Sequence, residues 1–137
     1  MHRFSDKRIL IIDNEDDIVG ADRQALQEAG YGNIRHTDNG AAGLEIAREW
    51  KPDLIISDIV HPGPDGFRIF EELCLAHPDH APLFIVTSNG LHGIYAAAFQ
   101  KLETSGMAVY LQKPFKGREL VRLVDGIFLR AENGAAK

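Results

Sequence analysis

Short apolar runs alternate along the whole chain with stretches whose apolar residues recur every three or four positions. Four runs stand out: Ile9-Leu10-Ile11-Ile12, Leu54-Ile55-Ile56-Ser57, Leu83-Phe84-Ile85-Val86 and Ala108-Val109-Tyr110-Leu111-Gln112. Continuous apolarity over so few residues, bounded by turn formers, predicts strands buried on both faces, as in a parallel sheet. A short further strand is expected from Asn33 to Thr37.

The intervening stretches carry helical spacing. Ile18, Asp22, Ala25, Leu26 and Ala29 form the first stripe, with Gly30 as a C-terminal stop. Ala41, Leu44, Ala47 and Trp50 form the second, capped by Asp38 or Asn39 and ended by Pro52. Phe67, Phe70, Leu73 and Cys74 make a third stripe before Pro78, and Ile94, Tyr95, Ala98, Phe99 and Leu102 a fourth. The fifth, Leu120, Leu123, Val124, Ile127 and Phe128, is strongly amphipathic and must pack on the sheet. Five strands alternating with five helices predict an α/β domain: a doubly wound five-stranded parallel sheet flanked by five helices. Residues 1–7 read as an N-terminal tail, 8–131 as the domain, and 132–137 as a frayed C-terminal tail.

Composition narrows the class. With 137 residues the chain makes one domain, able to bury about two-thirds of its unfolded surface. A net charge of −5 argues against direct nucleic-acid binding, which calls for a clustered basic face. The single cysteine, Cys74, precludes an intrachain disulfide and fits a reducing compartment. No signal peptide precedes the first strand, and no run approaches the roughly 20 apolar residues of a membrane span. A cytoplasmic domain is expected.

The chemistry gathers where the strands end. In parallel sheets, reactive groups collect just beyond the carboxyl edge. The first strand runs into Asp13-Asn14-Glu15-Asp16-Asp17, the Leu54 strand into Asp58, the Leu83 strand into Thr87-Ser88, and the last into Lys113-Pro114-Phe115. A carboxylate such as Asp58 can attack phosphorus and yield an acyl phosphate. Phosphoryl transfer then depends on positioning and on neutralising the equatorial oxygens. Mg²⁺ suits this role, because one or two carboxylates, waters and phosphate oxygens hold it. Asp13 and Asp58 supply carboxylates, Lys113 a point charge and Thr87 a hydroxyl.

Together, Ile11-Ile12-Asp13-Asn14-Glu15, Pro52 to Asp58, Pro62-Gly63-Pro64-Asp65-Gly66, Val86-Thr87-Ser88 and Lys113-Pro114-Phe115 resemble the receiver domain of bacterial two-component response regulators. The resemblance covers about Arg8 to Arg130 and implies a flavodoxin-like fold of receiver type. It implies Asp58 as the phosphoacceptor, with Mg²⁺ held by Asp13, Asp58 and the backbone carbonyl of Val60. Lys113, Thr87 and Ser88 would bind phosphate, and Thr87 and Tyr110 would form the switch. The implied partners are a sensor histidine kinase or histidine phosphotransfer protein. A downstream protein would dock on the face made by the Ile94–Leu102 helix, the Ala108–Gln112 strand and the Leu120–Phe128 helix. Such a domain is a phosphoacceptor rather than an enzyme. With no effector domain after Arg130, output is expected through protein contacts or phosphate relay.

Two departures from that pattern matter. Asn14 stands where the family usually has a second acid, so it is a weaker metal ligand; Glu15 is read either as compensating for the lost charge or, chiefly, as the start of the first helix. The stretch from Thr87 to Gly106 is a few residues longer than usual, the excess falling in Asn89-Gly90-Leu91-His92-Gly93.

Plainer readings compete. Tyr110 alone reads as a core aromatic with a wet hydroxyl, and His61 as a solvated loop histidine. Cys74, His77 and His80 offer zinc donors by type, but Cys74 falls on an apolar stripe and a fourth ligand is lacking. A haloacid-dehalogenase-type phosphatase would need a second Asp at the position of Val60. The remaining rival is a pseudo-receiver, a scaffold that binds a partner without phosphorylation because of Asn14.

Overall fold

The computed structural model describes residues 3–59, 66–76, 81–90, 96–97, 99–100, 103 and 108–135. Five strands, β1 (Arg8–Ile12), β2 (Asn33–Thr37), β3 (Leu54–Asp58), β4 (Leu83–Ser88) and β5 (Ala108–Gln112), form one parallel sheet in the order β2-β1-β3-β4-β5. Four helices are defined among the described residues: α1 (Asp16–Glu28), α2 (Gly40–Trp50), α3 (Gly66–Ala76) and α4 (Gly117–Ala135). Of the expected Ile94–Leu102 helix, residues 96–97 and 99–100 are helical, and so is 103; the rest lies outside the described residues. Among the described residues four complete helices flank the sheet.

Strand alternation divides the core. Ile9, Ile11, Leu54, Ile56 and Ile85 face α1 and α4, where Val19, Leu26, Leu120, Val124 and Phe128 meet them. Leu10, Ile12, Ile55, Phe84 and Val86 face the opposite layer, against Leu44, Ala47, Ile69, Phe70 and Leu73 of α2 and α3. Both faces are covered at the centre of the sheet, which is why β1, β3 and β4 are continuously apolar rather than alternating.

Local signals set the helix ends. Asn39, not Asp38, caps α2: its side chain accepts from the Ala42 N–H at 2.8 Å. The helix closes with Lys51 in the left-handed region, at φ 51°, before Pro52.

Both segments expected to be tails make contacts with the domain. Phe4 is buried, its ring centroid 5.5 Å from that of Phe128, so residues expected to be an N-terminal tail supply part of the core. Arg3 pairs with Glu132, and α4 continues to Ala135 through most of the expected C-terminal tail. For the N-terminal segment the physical reason is burial, since Phe4 packs into the core against Phe128.

Sheet order decides where the site lies. The connections leaving β1 and β3 run in opposite senses, and at such a reversal a crevice opens beyond the carboxyl edge. Asp13 follows β1 and Asp58 ends β3, so the two acids flank that crevice.

Candidate functional site

Lys113 organises the site. Its ammonium donates to Asp13 Oδ2 at 3.1 Å, Glu15 Oε1 at 3.0 Å and Asp58 Oδ2 at 3.1 Å. The lysine side chain is 5% exposed, Asp58 12% and Glu15 53%, so the cluster is closed at Lys113 and opens to solvent beside the acids. The Lys113–Pro114 peptide is cis, and the Lys113 N–H bonds the Ser88 carbonyl at 2.8 Å, tying the end of β5 to β4. Burial pulls the Lys113 pKa down, but hydrogen bonds to Glu15 and Asp13, with Coulombic attraction to Asp13, leave it raised overall. It remains a cation at any physiological pH.

Asp13 is buried, and burial is the main cause of its raised pKa; the Glu15 backbone N–H and Lys113 oppose that shift. The Glu15 N–H donates to Asp13 Oδ1 at 2.9 Å. This two-residue Asx turn folds the chain back on itself. It leaves Asn14 exposed and brings the Glu15 carboxylate back to the cluster. Glu15 occupies the N-cap position of α1 without capping it, because its side chain is engaged by Lys113. The expectation that Glu15 starts α1 holds, since it is the N-cap residue, and its carboxylate also turns to the cluster. The usable signal was the Asp-x-Glu spacing, which an Asx turn converts into two carboxylates on one side.

Thr87 is buried and lies in register with Asp58 across β3 and β4. Ser88, expected at the phosphate, is committed elsewhere. Its hydroxyl donates to the Gly90 carbonyl at 3.0 Å, accepts from the Gly90 N–H at 3.2 Å, and lies 3.1 Å from the Tyr110 hydroxyl. The Tyr110 hydroxyl also donates to the Ser88 carbonyl at 3.1 Å, and its ring packs edge-on against buried Phe99 at 5.9 Å. Tyr110 is therefore already tied to β4 through Ser88. Val60, His61, His77 and His80 lie outside the described residues, as does the Cys74 side chain.

A cleft of about 370 Å³ adjoins the cluster, lined in part by Glu15, Asp22, Asn89, Lys113 and Phe115. Asp22 is buried on the stripe of α1, and burial, with the Asp13 charge second, pushes its carboxyl up to about 7 against the pull of Lys113.

The model of the response regulator receiver domain family matches residues 9–125. The chain belongs to that family. The response regulator receiver protein CpdR of Brucella abortus (strain 2308) is 32% identical over 126 residues, covering 91% of this chain and 99% of CpdR. The DNA-binding transcriptional regulator NtrC of Escherichia coli (strain K12) is 32% identical over 117 residues, 85% of this chain but 24% of NtrC. The receiver thus spans nearly all of one relative and about a quarter of another. Among solved structures, the response regulator receiver domain protein (CheY-like) from Methanospirillum hungatei JF-1 superposes with a TM-score of 0.76 at 22% identity, over 93% of this chain and 98% of that one. That likeness shows the fold.

Receiver domains are phosphoacceptors that bind Mg²⁺ at an acidic site, and the donor set here fits such an ion. Ligand oxygens of Asp13, Glu15 and Asp58 all lie within 4.8 Å of one another. Carboxylate oxygens are the donors a hard divalent cation takes. Among the described residues, no helix is long and apolar enough to cross a membrane.

Proposed function

We propose that this receiver accepts a phosphoryl group on Asp58 and changes its protein contacts as a result. The observation that carries the reading is the bond from Lys113 to both Asp58 and Asp13, at 3.1 Å each, from three separate strand ends. An Asp58 carboxylate oxygen attacks phosphorus while the bond to the donor, the imidazole nitrogen of a phosphohistidine, breaks. The imidazole leaves with the electron pair, and Asp58 becomes an acyl phosphate. The donor protein is a sensor histidine kinase or a histidine phosphotransfer protein.

Lys113 already holds one Asp58 oxygen, so little motion brings its charge onto the incoming phosphate. Thr87, paired with Asp58 in register, offers a hydroxyl to donate to a second phosphate oxygen. Asp13, Asp58 and the Val60 carbonyl would hold Mg²⁺, which supplies charge neutralisation at the phosphoryl oxygens. The rival reading, a scaffold that binds without phosphorylation, loses its motive, because Asp58, Thr87 and Lys113 are retained and Glu15 adds a carboxylate beside neutral Asn14.

Incubation with acetyl phosphate and Mg²⁺, followed by intact-mass measurement, tests the assignment. One phosphoryl group should add to the native chain, less without Mg²⁺ and none to Asp58→Ala. Full labelling of Asp58→Ala would transfer the role to another residue.

A further inference from the structure

Resting on the receiver reading, we infer that Glu15 is the third anionic metal ligand of this site and replaces the carboxylate that Asn14 lacks. Three observations carry this. Glu15 presents its oxygen within 4.8 Å of the Asp13 and Asp58 oxygens, so a small side-chain rotation brings all three onto one ion. The Asx turn at Asp13 directs residue 15 into the cluster and leaves residue 14 exposed. Charge supplies the third: three carboxylates around one ammonium leave a local charge of −2, which a single divalent cation neutralises. Without Glu15 that balance would be −1, and the cation would meet a poorer site.

Lys113 gives Glu15 a second consequence. The ammonium sits at 3.0–3.1 Å from all three carboxylates, as a resident cation would. An arriving metal must therefore share these oxygens with Lys113 or loosen its grip on them. Glu15 is the most exposed of the three, so it is the arm that can turn from the ammonium to the metal without disturbing the buried Asp13. Asn14 cannot take this role by charge, since its amide oxygen brings no negative charge to the cation.

The experiment is a calorimetric Mg²⁺ titration of the full chain, its Glu15→Gln, Asn14→Asp and Asp58→Asn variants, and the Asn14→Asp/Glu15→Gln pair. Glu15→Gln should weaken Mg²⁺ binding on the order of tenfold. Adding Asn14→Asp to it should recover most of the loss. A merely structural Glu15 behaves oppositely: removing a partner of Lys113 frees the ammonium, and Mg²⁺ then binds equally or more tightly. Unchanged or tighter binding by Glu15→Gln, with Asp58→Asn impaired, overturns the inference and leaves the receiver reading standing. Binding indifferent to Asp58→Asn as well overturns both. Glu15 is half exposed, and a melting curve for each variant confirms that a change in binding is not unfolding.

Discussion

Asp22 is the one acid on an apolar stripe, and it shows how a single residue couples the site to stability. Its carboxyl titrates near 7 when folded and near 3.8 when unfolded, burial being the chief cause. Between these values the folded chain holds a proton that the unfolded chain has released. Stability therefore falls as pH rises from about 4 to 7, and the loss is complete above that window. Asp22→Asn should leave stability near pH 4 almost unchanged and raise it above pH 7, by on the order of 2–4 kcal/mol. Urea unfolding at the two pH values measures this directly. A variant no more stable than the native chain at pH 8 would mean that Asp22 is better solvated, or better paired with Lys113, than its burial implies.

At the scale of elements, the approach of α1 to α4 sets how Asp22 and the Asp13 turn sit beside β5. A Cβ added at Gly117 would lie 2.7 Å from the Cβ of Ala25, an atom fixed to the α1 backbone that cannot rotate away. Gly117→Ala should therefore separate the helices and destabilise by about 1–3 kcal/mol, despite the better helix propensity of alanine. Gly20 lies inside α1 with nothing within 4 Å of its added Cβ. Gly20→Ala should instead stabilise by about 0.5–1 kcal/mol. Opposite signs in thermal melts separate packing from propensity; a gain at both positions would show that α1 and α4 adjust freely.

Across the whole molecule, the path from Asp58 to the outer strand is short. Thr87 faces Asp58 in register, Ser88 follows it, and Ser88 holds the Tyr110 hydroxyl on β5. Movement of Thr87 toward a phosphate would pull on the same strand end that anchors Tyr110. Only a few kcal/mol of differential binding is needed to shift such a two-state balance. Beryllofluoride, a phosphate mimic, should raise hydrogen-exchange protection across β5 and the expected Ile94–Leu102 helix as well as around Asp58. Protection confined to the Asp58 loop would make the domain a phosphate carrier without a conformational output.

The pattern of apolar runs was enough for the parallel sheet and four of its strands, because strands covered on two sides cannot alternate polar and apolar residues; β2, largely exposed, was read from Asn33–Thr37 without such a run. The pattern also located Asp13, Asp58, Thr87 and Lys113 at strand ends, since chemistry at the carboxyl edge follows from sheet topology. Tertiary structure alone decided the rest. Phe4 packs on Phe128 of α4, a contact absent from either segment read in isolation. Ser88 reaches Tyr110 because β4 and β5 are paired in a register that no local spacing encodes. Glu15 joins the acid cluster because the Asp13 turn and a lysine about a hundred residues further along the chain draw it there. Local pattern specifies elements, whereas convergence of distant charges is set only once the sheet has brought its ends together.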